Sequence, residues 1–331
     1  MFGSGWNETD VSDLDGVTAV VTGANSGIGY EATRILADHG ATVVMGCRSV
    51  NRGADAVSSI RDATASGSLD VRELDLADLD SVASFATVVD EAYDGLDLLV
   101  NNAGVMALPY EETGDGFEYQ FGVNHLGHFA LTGHLLDDLR AGEGIPSAGA
   151  DDDGRGPSRV VTVSSGLHER GDAEFEAAAG GEDAAADYDR WDAYGRSKLA
   201  NLLFAYELDR RLATAGASVR SFACHPGYAD TNLQLRGPEA DGSRVKRLAM
   251  RAANAVLAQS AAAGALPTVY AATAPDLSGG EFVGPGGLLG MRGAPEVTES
   301  NELSRDREAA ADLWERSEAW TGVAYDLPEA R

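Results

Sequence analysis

Short apolar runs alternate along the chain with longer stretches in which apolar positions recur every three or four residues. Residues 17–22, 41–46, 69–74, 96–100, 159–164 and 218–223 are rich in Val, Leu and Ala and predict six strands. Residues 26–38, 52–61, 79–93, 115–140 and 192–213 carry helical spacing, and the last two predict long helices. Strands separated by helices of this length predict βαβ units, and runs with few charges predict strands covered on both faces. Right-handed crossovers then give an α/β protein. The expectation is one doubly wound Rossmann fold over residues 1–331, with a mostly parallel sheet of about seven strands and helices on both faces.

Two stretches break the rhythm. Residues 141–158 (AGEGIPSAGADDDGRGPS) are Gly-rich and acidic, and residues 169–187 are rich in Ala, Gly and acid. The alternation resumes after each, so both predict solvated surface insertions, not linkers. The stretch after Gly227 predicts helices over the C-terminal edge of the sheet. Leu313, Trp314 and Trp320 have partly helical spacing, which predicts packing.

Charge narrows the partners. There are 53 Asp and Glu against 25 Lys and Arg, a net charge of -28. Such a surface repels nucleic acid and anionic membranes. Only Lys198 and Lys246 are lysines. Abundant carboxylates with almost no lysine predict a protein adapted to molar salt, where the screening length falls to about 3 Å. Cys47 and Cys224 lie far apart with no CxxC spacing, which predicts a reducing interior. The first residues, MFGSGWNETD, lack the basic and apolar regions of a secretory signal, and no run of about 18 apolar residues occurs. The expectation is a cytoplasmic protein with no integral membrane segment.

Within this frame, TGANSGIG at 22–29 stands between the first strand and its helix. Glycines there let the backbone approach a pyrophosphate, and the helix N-terminus offers free N–H groups and the positive end of a dipole. Gly23, Asn25, Ser26, Gly27, Ile28 and Gly29 are therefore candidate cofactor contacts. An acid at the end of the second strand would bind a ribose 2′-hydroxyl, whereas an arginine accommodates a 2′-phosphate. The chain has Met45-Gly46-Cys47-Arg48 and no acid there. This predicts NADP in preference to NAD. Asp75, with Leu76, follows the third strand and is placed to accept from an adenine amino group. Asn102, Ala103 and Gly104 close the fourth strand in an NNAG run that allows close approach of a cofactor.

Tyr194 and Lys198 are four apart at the start of a predicted helix, hence on one face. An ammonium near a phenol favours the phenolate and brings tyrosine into acid–base range. With two lysines in 331 residues, the chance that one falls four after any of the ten tyrosines is only about six percent. Ser164 and Ser165 end the fifth strand, where a hydroxyl can donate to a substrate carbonyl oxygen. A serine hydrolase is excluded: there is no GxSxG elbow, and His168 near Ser165 has no evident orienting acid. His125 and His128 are three apart with no third ligand in spacing, which predicts packing, with no metal. His225 precedes Pro226-Gly227 and predicts a shaped turn.

Taken in order, TGxxxGxG, NNAG, Asn124, Ser165, YxxxK and Pro226-Gly227 resemble the short-chain dehydrogenase/reductase family over nearly the whole chain. The stretches Cys47-Arg48, 123–129 (VNHLGHF), 194–201 (YGRSKLAN), 225–227 (HPG) and 313–318 (LWERSE) are most similar to its retinol dehydrogenase and WW-domain oxidoreductase branch. The resemblance implies that Tyr194 is the general acid or base and that Lys198 binds the nicotinamide ribose and depresses the Tyr194 pKa. It further implies that Ser165 polarises the substrate oxygen and that Asn124 holds a water linking Lys198 to solvent. Pro226, Gly227 and Thr231 would border the nicotinamide. The implied reaction is NADP-dependent hydride transfer to or from a small, apolar alcohol or carbonyl compound such as a retinoid, a ketone or a quinone, and the resemblance admits a homo-oligomer. A different class remains open, an NADP-binding sensor without turnover. One departure stands out: Ser165 and Tyr194 are 29 positions apart, about twice the spacing of many members. Residues 237–259, with Arg244, Lys246, Arg247 and Arg251, predict a substrate lid. Its basic cluster fits an anionic ligand or a salt-bridged helix equally.

Overall fold

The computed structural model describes residues 5–63, 66–147, 154–227, 259–287 and 290–330. Thr231 and residues 237–258 of the predicted lid lie outside them. Eight strands form one sheet in the order β3-β2-β1-β4-β5-β6-β7-β8. They are β1 (Thr18–Thr22), β2 (Thr42–Cys47), β3 (Ser68–Glu73), β4 (Leu98–Asn101), β5 (Ser158–Val163), β6 (Val219–Cys224), β7 (Phe282–Pro285) and β8 (Pro295–Thr298). The first seven run parallel and β8 is antiparallel to β7. The six sequence-legible strands fall where their apolar runs lie. The eighth exceeds the expected seven because PEVT is a four-residue edge strand with an exposed face and no apolar run.

Strand order reverses between β1 and β4, and the crevice outside their C-terminal ends is where open α/β sheets bind ligands. Helices cover both faces: α1 (Gly27–Asp38), α2 (Val50–Ala63), α3 (Leu79–Ala92), α4 (Gly127–His134), α5 (Leu136–Ala141), α6 (Arg190–Ala215), α7 (Ala261–Thr273) and α8 (Arg307–Thr321). One apolar layer joins α1 and α7 to the sheet, and the other joins α3, α4 and α6 to its opposite face. Trp314 of α8 stacks on Phe204 of α6, and the Tyr325 hydroxyl donates to the Phe129 carbonyl at 2.6 Å.

The predicted helix over 115–140 is not continuous. It comprises a turn at Tyr119–Phe121 capped by the Glu118 carboxylate, a π-helical turn at Gly122–Leu126, then α4 and α5. A π turn inserts an extra residue into the helical ladder and often marks a functional position. This one carries Asn124. The helix after it passes very close to the β3–α3 connection: a β carbon on Gly127 would lie 2.5 Å from the Leu76 carbonyl oxygen.

The two acidic segments are less solvated than their composition predicts. In the first, Ile145 is buried, and Gly156 N–H donates to its carbonyl. In the second, Phe175 is 2% exposed and packs on Phe121. One aromatic in an Ala- and acid-rich stretch leaves no periodicity to read, yet it anchors the segment beside α6.

Candidate active site

The Gly-rich turn is shaped by close approach. Gly23 has φ +66°, and a β carbon there would meet Ala103 at 3.1 Å. At Gly29 a β carbon would lie 2.4 Å from Asn102 Nδ2 and 2.5 Å from the Gly23 oxygen. Asn102 Nδ2 itself donates to the Thr22 carbonyl at 2.8 Å. Ser26 is the N-cap of α1, but its side chain makes no capping bond. The first N–H groups of α1 therefore point into the crevice without a side-chain acceptor, an arrangement suited to an anion. Asn25 and Ile28 are half-buried alongside. Cys47 receives the Ala24 and Asn25 N–H groups and braces this turn, and burial pushes its thiol up to about 11.

Arg48 is exposed at the end of β2, and its guanidinium donates to the Tyr119 hydroxyl at 3.1 Å. Tyr119 was not legible as a partner, since 71 positions separate the two. Asp75 accepts the Ala77 N–H on Oδ1, and its own N–H donates to Ser81 Oγ. Leu76 beside it is buried. On the other rim, Gly227 has φ +65° and Gln259 Nε2 donates to the Pro226 carbonyl at 2.7 Å.

The chemistry-bearing side chains come from β5 and α6. Asp189 caps α6 by accepting from Trp191 and Asp192 N–H, which fixes the turn that presents Tyr194. Tyr194 is 4% exposed and Lys198 3%. Lys198 Nζ donates to the Val163 carbonyl at 3.0 Å and sits 5.9 Å from the centre of the Tyr194 ring. The two adjacent serines face different ways. Ser164 Oγ donates to the Lys198 carbonyl at 2.7 Å, whereas Ser165 faces the Tyr194 phenol, whose ionised form it favours, and accepts from Leu167 N–H. His168 cannot serve Ser165 as a base: its Nδ1 bonds the Ser165 carbonyl and its Nε2 faces Asn301 N–H.

Burial dominates the Tyr194 phenol and pushes it up to about 12, with Ser165 offsetting only part. Burial also pushes Lys198 down to about 8, against a smaller opposite effect of Cys224. The side chain of Asn124 makes three hydrogen bonds: Oδ1 accepts Val105 N–H at 2.8 Å, and Nδ2 donates to the Val105 carbonyl and to Ser197 Oγ. It braces the loop after β4. Gly104 lies in that loop, where a β carbon would sit 3.6 Å from Lys198 Nζ. Thus the cradle, the β4 loop and the Tyr194–Lys198 helix meet at one crevice.

Among the described residues no cluster of three His, Cys, Asp or Glu could hold a metal, and no helix is long and apolar enough to cross a membrane. The short chain dehydrogenase family profile matches residues 17–175. Retinol dehydrogenase 13 of Homo sapiens is 37% identical over 321 residues, covering 96% of this chain and 88% of that protein. Retinol dehydrogenase 12 of Homo sapiens is 43% identical over 234 residues, covering 70% and 67%. A solved structure of an uncharacterized protein from Mycobacterium Paratuberculosis has a TM-score of 0.75 at 39% identity, covering 98% of this chain and 100% of that one. This chain belongs to the short chain dehydrogenase family, on its retinol dehydrogenase branch, and is an alcohol or carbonyl oxidoreductase.

Proposed function

We propose that the protein is an NADP(H)-dependent reductase of small apolar carbonyl compounds, with Tyr194 as proton donor. The carrying observation is the meeting of Tyr194, Ser165 and Lys198 with the glycine cradle at one crevice. The residues fit a dinucleotide. The α1 N-terminus lacks a side-chain cap, Gly23 and Gly29 leave no room for a β carbon, and β2 ends on Arg48 with no acid. When bound, NADPH supplies the hydride.

The chain's own residues manage the proton and the charge. A phenol held at about 12 is protonated at neutral pH, so its proton is available for a carbonyl oxygen. Ser165 is placed to donate to the same oxygen as negative charge develops there. Proton transfer leaves a phenolate, and the Lys198 ammonium is the cation one helical turn away that stabilises it. The burial of both groups excludes water and strengthens that attraction. The names of the relatives make retinoids the first compounds to try, alongside ketones and quinones.

The test is NADPH oxidation across a panel of aldehydes, ketones and quinones, with Tyr194→Phe as the control. Turnover on at least one class is expected, with a fall of about three orders of magnitude in the variant and NADPH binding retained. Unchanged turnover in Tyr194→Phe refutes the proton donor. Tight NADPH binding with no turnover on any substrate favours a sensor.

A further inference from the structure

His128 is 1% exposed and lies one turn beyond Asn124. Its Nδ1 is 3.0 Å from the Asn124 main-chain oxygen, and its Nε2 is 2.8 Å from Thr22 Oγ1. A carbonyl oxygen only accepts, so Nδ1 carries the proton and Nε2 accepts from the Thr22 hydroxyl. Thr22 Oγ1 accepts in turn from the N–H groups of Asn102 and Ala103, each at 2.9 Å. Its hydrogen and both lone pairs are then in use. The far end of the same loop is held by Asn124, which bonds both polar groups of the Val105 backbone. Residues 102–105 are therefore gripped at one end by Thr22 and at the other by Asn124. His128 bonds to both grips. Between them is Gly104, beside Lys198.

We propose that His128 is a positioning residue: as its Nδ1–H tautomer it locks Thr22 and the Asn124 turn into one frame that sets the 102–105 loop against Lys198 and the dinucleotide. A histidine retained only for volume would need neither bond. Here each ring nitrogen serves a different element, and the loop they jointly fix forms the wall of the crevice. The proposal rests on reading that crevice as the NADP(H) site.

The experiment compares His128→Phe, His128→Gln, Thr22→Val and the Phe/Val double variant. NADPH Kd by fluorescence titration, kcat and Tm are measured for each. His128→Phe keeps the volume and removes both bonds. It is expected to raise Kd five- to twentyfold and lower kcat at least tenfold. Gln, which keeps an amide acceptor for Thr22, should recover most of both. The double variant should lose less than the sum of the two single losses, because both singles break the same Thr22–His128 bond. A folded His128→Phe protein with wild-type Kd and kcat overturns the proposal. So do equal losses in Phe and Gln that track Tm, or additive losses in the double variant. If the Phe variant does not fold, an unchanged Kd in Thr22→Val refutes the frame, and the tautomer of His128 decides otherwise. Nitrogen NMR of the 15N-histidine-labelled, ligand-free protein should find His128 protonated on Nδ1 alone, and the other tautomer or an imidazolium overturns the frame. Wild-type protein that binds no NADPH would count against the cofactor assignment, while the tautomer still decides the role of His128.

Discussion

A buried ammonium is costly, and Lys198 lies deep between α6 and β5 with one carbonyl partner. The fall from its ordinary 10.5 to about 8 corresponds to roughly 3 kcal/mol of lost stability. Folded protein binds fewer protons than unfolded chain between those values, so this cost is fully present below pH 8 and is relieved as pH rises toward 10.5. Lys198→Met is therefore expected to raise stability at pH 7 by about 1–3 kcal/mol while abolishing turnover. The gap to wild type should close above pH 9, and denaturant titrations at pH 7 and 10 measure it. The Val163 carbonyl is not orphaned in that variant, because Asn201 Nδ2 also donates to it at 3.0 Å. Arg48 makes a second test. Arg48→Glu should lower kcat/KM for NADPH by one to two orders and spare NADH, since a carboxylate repels a 2′-phosphate. Comparable values for both cofactors in wild type would refute the preference. Tyr194 and Lys198 were legible in the sequence because a spacing of four maps directly onto a helix face. His128 was not: its partner Thr22 is 106 positions away, and only the fold reveals the tautomer.

At the level of elements, apolar runs revealed five strands because these are buried on both faces, and the partly buried β3 because Leu69 and Val71 alternate with polar residues. The long helix after β4 was misjudged because hydrophobic spacing does not register one inserted residue. Its course also depends on contacts far along the chain. Gly127 can approach the Leu76 carbonyl only without a side chain. Gly127→Ala should therefore destabilise the protein by about 2–3 kcal/mol, despite alanine's better helix propensity. A rise in Tm in that variant would show that α4 can move away freely. Since Leu76 follows Asp75, the same shift would disturb the expected adenine-side wall. The acidic segment before α6 hid its anchor for a related reason: Phe175 reaches the core through a single side chain, without a pattern.

For the whole molecule, charge is the dominant fact. With 53 acidic and 25 basic residues, self-repulsion acts against the compact state at low salt. Raising KCl shortens the screening length from about 10 Å at 0.1 M to about 3 Å at 1 M. Tm is expected to rise over that interval, and a fall would sink the reading of salt adaptation. The sheet order has a kinetic consequence as well. The bond from Asn102 to Thr22 joins residues 80 positions apart, across the reversal of strand order. Closing so long a loop between parallel strands loses chain entropy before contacts compensate, so such pairings nucleate slowly. During refolding, the first βαβ unit can gather its helices early, but the ligand crevice has no wall until β4 docks beside β1. The capacity to capture the proposed nucleotide thus belongs to the late stage of folding, when the two halves of the sheet have joined.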